Sequence, residues 1–380
     1  MQTTPEAALP PTLARFRDAI TQAASSRTPL TLRGGGTKDF YGRSTMTEAA
    51  NATVLDTREW SGIVDYDCAE LVITARSGTP LTEIEAALAE HRQMLAFEPP
   101  HFAAGGKQAT VGGAFASGLS GPRRQSVGAL RDFVLGAVIM DGRGNMLNFG
   151  GQVMKNVAGY DVSRLMAGAL GTLGLVVQVS LKVLPMPFCD ATLRFAMAQG
   201  EAIDTLNRWG GQPLPIAASA WTGGALWVRL CGADAAVRAA ISKLGGERID
   251  ESEAAAFWRD LREQSHTFFA RAVQDGLPLW RIALPPATPP LALGAASADE
   301  QLVEWGGGQR WWIDTSSTPA DVIRDAVRKA GGHATLFRNG DRASDVFTPV
   351  AAPLMAVHKR LKDSFDPHGI FNPGRLYADF

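Results

Sequence analysis

Groups of glycines within residues 109–183 restrict the possible folds of this chain more than any other feature. They are Gly112, Gly113, Gly118, Gly121, Gly128, Gly168, Gly171 and Gly174. Glycine has no Cβ, so it reaches positive φ and lets a ligand or a second backbone approach closely. Apolar runs at residues 133–140 and 173–183 separate the groups and are typical of strands. The alternation of glycine groups and apolar runs predicts loops set on a buried sheet. These loops would hold a large, flat ligand with an anionic tail.

Length and charge narrow the possible functions. A chain of 380 residues is expected to form two domains. The formal net charge of −1 gives no electrostatic reason to expect nucleic acid as a partner. The three cysteines, Cys68, Cys189 and Cys231, are too few and too scattered for a disulfide framework, so we expect a reducing compartment.

The N-terminus lacks the basic region and apolar run of a signal peptide. No stretch approaches the roughly 18 continuous apolar residues that a membrane span requires. We therefore expect a cytoplasmic protein, one that reaches the inner membrane, if at all, through its partners.

A first glycine loop comes earlier in the chain. A strand at residues 29–33 is predicted to open into Gly34, Gly35 and Gly36, followed by Thr37 and Lys38. Such a loop can be an anion cradle, in which successive N–H groups converge on phosphate oxygens, or a flexible surface turn. The spacing matches neither a Walker motif nor a Rossmann glycine motif.

Local patterns predict further structure before residue 150. Thr82 is a candidate N-cap of a helix, with Glu85 completing a capping box. Residues 109–121 form the second glycine loop. For the pair Arg123 and Arg124, we favour a solvated surface.

Two further local patterns precede residue 150. Arg131 and Asp132 can form a local ion pair or order a ligand. Asp141-Gly142 followed by Gly144-Asn145 predicts a hairpin turn.

From residue 189 onward the glycine groups stop. Strands near residues 192–196, 226–230, 279–284 and 310–313 alternate with helices, which predicts an antiparallel sheet backed by helices. Trp311 and Trp312 are adjacent on a predicted strand and must point to opposite faces. One can lie in the core, and the other then faces helices, solvent or a partner.

The sequence offers no obvious catalytic group. The six histidines show no metal-binding spacing, and there is no Gly-x-Ser-x-Gly elbow. The catalytic residue is therefore unknown and no metal is expected. What remains is a scaffold for a bound cofactor that carries the reaction.

Several motifs resemble those of a known protein family. The segments 33–38, 110–113 and 171–176, the Gly78 turn, and Gly128 with Arg131-Asp132 resemble the PCMH-type FAD-binding domain of the vanillyl-alcohol-oxidase superfamily. The tail, with Asp366-Pro367 and residues 372–375, resembles its D-2-hydroxyacid dehydrogenase branch. Residues 97–100, 118–124 and 155–161 are most similar to the smaller FAD-binding subunits of bacterial glycolate oxidases.

The resemblance implies an α+β fold. A PCMH-type FAD-binding domain of two α+β subdomains would occupy residues 1–187. An antiparallel α+β cap domain would occupy residues 188–345. Residues 346–380 would form a C-terminal helix and tail that return to the flavin.

The resemblance also implies a set of FAD-contacting residues. The first loop and the segment 110–121 would hold the pyrophosphate, Val176 would contact the adenine side, and Asn372 would lie near the isoalloxazine. The full set is Arg33, Gly34, Gly35, Gly36, Thr37, Lys38, Gly78, Pro99, Thr110, Val111, Gly112, Gly113, Ser117, Gly118, Ser120, Gly121, Gly128, Arg131, Asp132, Gly171, Gly174, Val176 and Asn372.

The implied function is that of a subunit in a glycolate oxidase complex. Its partners would be a larger FAD-binding hydroxyacid dehydrogenase-type subunit and an iron–sulfur subunit, with glycolate as the substrate. The larger relatives carry a histidine-rich metal cluster that this sequence lacks. Two other roles therefore stay open, a non-catalytic assembly or electron-relay subunit and a stand-alone flavin-dependent alcohol oxidase.

We predict that the purified chain is yellow and releases its flavin on treatment with acid or heat. Relatives that attach FAD covalently carry a histidine after the first glycine loop, and here Thr37 and Lys38 occupy that place. Absorbance of the supernatant after acid precipitation measures the release. Flavin that stays with the precipitated polypeptide would contradict noncovalent binding.

Overall fold

The computed structural model describes residues 9–44, 53–151, 161–293 and 300–380. The described elements up to Pro185 form what we call the N-terminal lobe. Its helices are α1 (Pro11–Ser26), α2 (Leu81–Glu90), α3 (Val111–Ser117), α4 (Arg124–Val127) and α5 (Val162–Met166). Its strands are β1 (Leu30–Arg33), β2 (Thr53–Asp56), β3 (Ile63–Asp67), β4 (Val72–Arg76), β5 (Gln93–Met94), β6 (Val134–Met140), β7 (Met146–Gly150), β8 (Leu175–Lys182) and β9 (Leu184–Pro185).

An antiparallel sheet in the order β3-β4-β8-β6-β7 forms the centre of the N-terminal lobe. The hairpin predicted after residue 140 is confirmed, because β6 and β7 pair antiparallel across that turn. Successive side chains of a strand point to opposite faces. Ile139 accordingly packs in the core with α2 and α3, and Met140 packs on the other face against α1. Both faces of the sheet are therefore buried.

A second, small sheet supports the first glycine loop. Strands β1 and β2 pair in parallel, and Phe371 near the C-terminus adds a parallel bridge to Leu30. The buried side chains of Leu30, Phe371 and Phe16 of α1 share one apolar cluster. The beginning of β1 is thus held by β2, by Phe371 and by α1.

The capping box predicted at Thr82 is wrong. Helix α2 begins at Leu81, one residue earlier, and no side chain caps it. Tertiary structure replaces the cap, because the Leu81 N–H donates to the Ala109 carbonyl at 2.8 Å. The Glu85 carboxylate instead contacts His101 Nε2 at 3.1 Å.

The elements from Cys189 to Arg338 form what we call the C-terminal lobe. Its helices are α6 (Gln199–Gly210), α7 (Asp234–Leu244), α8 (Glu251–Glu263), α9 (Thr267–Gln274) and α10 (Ala320–Lys329). Its strands are β10 (Cys189–Ala196), β11 (Ile216–Thr222), β12 (Ala225–Gly232), β13 (Glu247–Arg248), β14 (Leu279–Ala283), β15 (Gln301–Glu304), β16 (Gln309–Ile313) and β17 (His333–Arg338). Helix α11 (Ala352–Phe365) follows.

The predicted antiparallel sheet is present, with eight strands in the order β13-β10-β12-β11-β15-β16-β14-β17. Helices cover both of its faces. Trp311 packs with Phe269 on the face of α8 and α9, and Trp312 packs with Ile323 of α10 on the other face. Both tryptophans are buried. The pair therefore occupies two cores and presents no surface for a partner.

The sequence patterns missed several elements. They are β3, β5, β9, β11, β13, β15, β17, α4, α5 and α9. Strand β3 lies at a sheet edge and is largely exposed, so it carries no apolar alternation. The change from one sheet to the other falls between Lys182 and Cys189. The domain boundaries at residues 187 and 345 stay a prediction.

A buried ion network joins the two lobes. Glu98 Oε1 accepts from Arg123 Nε at 3.1 Å and from Arg229 Nη1 of β12 at 2.9 Å. Asp190 Oδ2 of β10 accepts from the same two guanidinium groups, at 3.4 Å and 2.6 Å. Arg123 is only 5% exposed, so the solvated surface that we favoured for it is wrong. Its charge is buried because carboxylates from both lobes surround it.

A buried lysine fixes the C-terminal segment to the N-terminal lobe. Lys362 of α11 is 6% exposed. Its Nζ donates to the Thr172 carbonyl at 2.6 Å, the Asp366 carboxylate at 2.8 Å and the Phe371 carbonyl at 3.0 Å. An ammonium group has three N–H donors, and all three are satisfied here. Lys362 therefore joins the C-terminal segment, at Asp366 and Phe371, to Thr172, which lies 190 positions earlier.

We predict that Lys362→Met destabilises the protein by about 3–5 kcal/mol, because it removes one partner of a buried ion pair. Lys359→Met, on the same helix, is the matched control. Lys359 forms an exposed pair with Asp379 at 3.3 Å, so its loss should change stability by less than about 1 kcal/mol. Urea unfolding followed by tryptophan fluorescence measures both. Equal effects would contradict the role of Lys362.

Candidate functional site

The first glycine loop leaves the end of β1 with unused hydrogen-bond donors. Among the hydrogen bonds between described residues, none has the backbone N–H of Gly35, Gly36, Thr37 or Lys38 as its donor. Gly36 has φ +68°, a conformation that favours glycine. Arg33 pairs with Asp39 across the loop. Consecutive N–H groups of this kind form a concave anion-binding surface.

The second glycine segment is a helix for most of its length, which corrects the predicted loop. Helix α3 begins after Thr110, whose Oγ1 accepts from the Gly113 N–H at 3.2 Å. It ends at Gly118, which is left-handed with φ +63°. Because Gly112 and Gly113 lack side chains, neighbouring atoms can pack closely against them and a ligand can reach the backbone. Neither glycine has positive φ.

The two segments enclose a cleft. Its wider part has a volume of about 440 Å³, between the first loop and the exposed side of α3. It continues into a narrower part of about 60 Å³ that reaches Gly174 and Val176. Both parts share Arg33, Gly34 and Gly113. We call the two parts together the glycine cleft.

More than half of the predicted FAD-contacting residues meet in the glycine cleft. They are Arg33, Gly34, Gly35, Gly36, Thr37, Lys38, Gly112, Gly113, Ser117, Gly171, Gly174, Val176 and Asn372. These residues come from positions 33 to 372, and the fold brings them to one place. Their contact with FAD itself stays a prediction.

Two hydroxyl groups in the glycine cleft have no partner. Thr31 Oγ1 and Ser77 Oγ are buried and make no hydrogen bond with a described residue. Thr31 lines the wider part and Ser77 the narrower part. A buried polar atom without a partner costs free energy unless a ligand or water satisfies it. Free N–H groups, free hydroxyls and the cations Arg33 and Lys38 together fit a ligand that carries phosphates and sugar hydroxyls.

Asn372 stabilises the wall of the cleft. Its Oδ1 accepts from the Leu32 N–H at 2.9 Å, and its Nδ2 donates to the Leu170 carbonyl at 2.8 Å. Its own N–H donates to the Leu30 carbonyl. The tail thus positions β1 beside the 170–172 turn and lines the cleft, which favours the ligand-contacting interpretation of the tail.

The other predicted residues lie outside the glycine cleft. They are Gly78, Pro99, Thr110, Val111, Gly118, Ser120, Gly121, Gly128, Arg131 and Asp132. A Cβ on Gly78 would lie 2.2 Å from the Thr57 carbonyl oxygen, so this glycine is needed for backbone packing. Arg131 and Asp132 form an exposed pair at 4.0 Å. Of the glycolate-oxidase-like segment 155–161, residues 155–160 lie outside the described residues, and Asp161 caps α5.

Two further cavities lie where the lobes meet. The larger, of about 830 Å³, shares Gly36, Thr37 and Asp39 with the glycine cleft. The smaller, of about 30 Å³, shares Phe102 and Arg262 with the larger one. Ser120 and Gly121 line the smaller cavity. The three cavities therefore form a series of neighbours that share lining residues, from the N-terminal lobe to the boundary between the lobes.

Burial lowers the pKa of a lysine at the beginning of this series. Lys38 Nζ lies 5.4 Å from the centre of the Phe102 ring and 3.3 Å from Thr37 Oγ1. Desolvation lowers the pKa of Lys38 to about 8, and the nearby Glu263 carboxylate partly opposes this shift. Lys38 is thus still mainly a cation at neutral pH.

Comparison with known proteins places this geometry in a family. Residues 6–150 match the family model described as FAD binding domain. Glycolate oxidase subunit GlcE of Escherichia coli is 47% identical over 364 residues, which cover 95% of this chain and 96% of that protein. The chain belongs to the GlcE family of glycolate oxidase subunits. The predicted FAD cofactor and oxidoreductase class are confirmed.

Other relatives match a smaller part of the chain. Glycolate oxidase subunit GlcD of Bacillus subtilis is 32% identical over 174 residues, which cover 46% of this chain and 36% of that protein. A solved alkyldihydroxyacetonephosphate synthase superposes with a TM-score of 0.60 at 15% identity, covering 95% of this chain and 75% of that one. That likeness concerns the fold alone, and it confirms the predicted fold class.

The described residues contain no group of three or more histidine, cysteine or acidic residues that could hold a metal ion. In the same part of the chain, no helix is long and apolar enough to cross a membrane.

We predict that Gly113→Val abolishes FAD binding and leaves the fold intact. A Cβ at this position meets only Thr110 Oγ1, at 3.2 Å, and would otherwise project into the cleft. Titration calorimetry with FAD on the folded apoprotein is the measurement, with Lys243→Ala on the surface of α7 as the control. Unchanged affinity would mean that this part of the cleft holds no ligand.

The neighbouring glycine provides a contrast. A Cβ on Gly112 would lie 2.7 Å from the Ser77 carbonyl oxygen, so Gly112→Val should lower the melting temperature. Gly113→Val should not. If both variants lost melting temperature to a similar extent, the loss of FAD binding in Gly113→Val would result from impaired folding.

Proposed function

We propose that this chain is the FAD-binding subunit of a glycolate oxidase, or glycolate dehydrogenase, complex. The complex would oxidise glycolate to glyoxylate and pass the electrons to an iron–sulfur partner. The observation that carries the proposal is the glycine cleft, in a chain that matches GlcE over nearly its whole length. Membership of a family of subunits supports the existence of partner subunits.

Each part of the glycine cleft has residues suited to a part of FAD. The free N–H groups of residues 35–38 and the Arg33 guanidinium would hold the pyrophosphate. Val176, in the apolar narrow part, would contact the adenine side. Asn372 would stand at the isoalloxazine side. Bound FAD would supply the two-electron acceptor for the oxidation.

Noncovalent attachment belongs to this proposal. Thr37 and Lys38 follow the glycines where covalent relatives have a histidine, and Thr37 is buried beside the loop. The cleft residues would therefore bind FAD through hydrogen bonds, charge and shape.

An iron–sulfur partner is consistent with the cysteine content. A cluster of the common types requires four thiolates, and the sequence has three cysteines. In the described structure Cys68 is exposed in the N-terminal lobe, whereas Cys189 and Cys231 lie one register position apart on the paired strands β10 and β12. Transfer to a cluster would thus need another chain. A larger FAD-binding subunit of the hydroxyacid dehydrogenase type would complete the complex.

We predict that co-expression with such a flavoprotein and an iron–sulfur protein gives a stable complex that oxidises glycolate. The chain alone should show little or no turnover with artificial acceptors. The measurement is glycolate-dependent dye reduction by each purified species. Replacing the chain by its Gly113→Val variant in the same co-expression provides the control.

Two outcomes would contradict the proposal. A complex that forms but does not oxidise glycolate would remove the substrate assignment. Turnover by the chain alone at the rate of the complex would instead favour the stand-alone oxidase.

A further inference from the structure

The smaller cavity between the lobes, which we call the Glu304 cavity, lies beside a buried carboxyl group. Its lining includes Glu304 of β15, Arg281 of β14 and Arg262 of α8 on one side, and Ser120 and Gly121 on the other. Its volume of about 30 Å³ is enough for the reacting end of a small acid, and the larger cavity beside it has about 830 Å³ for the rest. The two cavities share Phe102 and Arg262 in their linings.

Glu304 is buried but has one oxygen to spare. The residue is 4% exposed. Its Oε2 accepts from Trp311 Nε1 at 2.6 Å and from Gln309 Nε2 at 3.0 Å. Its Oε1 accepts no hydrogen bond from any described residue. A buried carboxyl costs free energy unless its oxygens are satisfied, so an unused oxygen beside a cavity indicates a ligand or a proton-transfer role.

The turn after Glu304 holds the cavity against the N-terminal lobe. Trp305 has φ +55°, uncommon for a bulky residue, and its Nε1 donates to the Gly121 carbonyl at 3.2 Å. A Cβ on Gly307 would lie 2.3 Å from the Pro286 carbonyl oxygen, so the turn has little freedom. Glu304 is thereby fixed beside the Ser120-Gly121 segment.

The charges of the cavity match a small hydroxy acid. Arg281 is oriented by its Nε, which donates to Gln309 Oε1 at 2.6 Å. Arg262 is oriented by Glu263, which accepts from its Nε at 2.7 Å. A guanidinium recognises a carboxylate, and a carboxylate oxygen accepts from a hydroxyl group. A 2-hydroxy acid presents these two groups on adjacent carbons.

The pKa of Glu304 allows its carboxylate to accept a proton near neutral pH. Burial raises the pKa of Glu304 to about 7, while hydrogen bonds from Trp311 and Gln309 and the charge of Arg281 oppose the shift. The Glu98 carboxylate adds to the increase. Tyr41, next to Arg281, has a pKa raised by burial and stays neutral. Glu304 is thus the group here that changes charge near pH 7.

We propose that Glu304 acts as the catalytic base of this subunit in the assembled complex. Its Oε1 accepts the hydroxyl proton of a 2-hydroxy acid that extends into the larger cavity and whose carboxylate binds at Arg262, which lines both cavities. This rests on the proposed function, which supplies the FAD. The Cα–H bond breaks with its electron pair and hydrogen going to FAD, and the O–H bond breaks with its proton going to Glu304. The products are a 2-oxo acid and reduced FAD, which the electron acceptor of the complex reoxidises.

The first test is turnover of the assembled complex with Glu304→Gln. Loss of a general base should lower kcat for glycolate by about 100-fold or more. Glu300→Gln, the same chemical change at a buried carboxyl beside the beginning of β15, should keep the wild-type rate. FAD content and melting temperature of both variants exclude a folding defect. Glu304→Asp, which keeps the carboxyl group, should retain more activity than Glu304→Gln.

The second test is a binding experiment with oxalate on the isolated, FAD-loaded chain. Oxalate is a dianion between about pH 6 and about pH 8, so it binds better when Glu304 is protonated. Its affinity for the wild type should fall as the pH rises above about 7, by up to about tenfold per pH unit. In Glu304→Gln the affinity should be nearly independent of pH, a result that a purely structural residue would not give.

The outcomes separate this inference from the proposed function. Glu304→Gln complexes with wild-type turnover, or oxalate binding with the same pH dependence in both proteins, would overturn the role of Glu304 and leave the glycolate oxidase assignment intact. A wild-type complex that does not oxidise glycolate would overturn the proposed function, whereas oxalate binding would still report on Glu304.

Discussion

One ion network holds the two lobes in position relative to each other, and both cavities between the lobes depend on that position. Its members are Glu98, Arg123, Asp190 and Arg229. Two guanidinium groups and two carboxylates balance in charge, and each carboxylate contacts both arginines. Arg123 and Glu98 are the most desolvated members, so removal of either would leave an uncompensated charge in a desolvated place, at a cost of about 3–5 kcal/mol. The network also fixes the segment before Pro99, because Glu98 has φ +49° and accepts from the Arg123 N–H at 2.9 Å. The larger cavity and the Glu304 cavity therefore have walls from two lobes whose spacing is determined by buried charge.

The glycines of the cleft serve two purposes that a sequence does not distinguish. Gly113 borders open space, so its missing side chain is room for a ligand. Gly35 has the opposite surroundings, since a Cβ there would lie 1.5 Å from the Gln108 carbonyl oxygen. The absent Cβ of Gly35 lets the 107–109 segment pack behind the loop, and this packing leaves the N–H groups of the loop free. Ligand binding at one glycine thus depends on backbone packing at another.

The features that could be predicted from the sequence are those formed by residues close together in the chain. Helix α1 and strand β8 carry their apolar period within a few residues, and the glycine motifs give the cleft because each motif is local. The two arginine partners of Glu98 are 25 and 131 positions away, so no local pattern indicated that Arg123 would be buried between carboxylates. Glu304 was missed for the same reason, since its burial depends on a strand neighbour and on a turn that reaches Gly121. The capping box at Thr82 matched the local rule, but a carbonyl from residue 109 replaced it.

The parallel bridge between Leu30 and Phe371 has a consequence for the order in which the protein is made. Strand β1 leaves the ribosome early, but the segment that pairs with its other edge, and the Asn372 amide that holds Leu32, are translated about 340 residues later. Contacts between such distant positions form only after the intervening chain has collapsed. The wall beneath the first glycine loop is therefore completed only after residues 371 and 372 have been synthesised. A cofactor that binds against this wall would report that the C-terminal segment has docked onto β1.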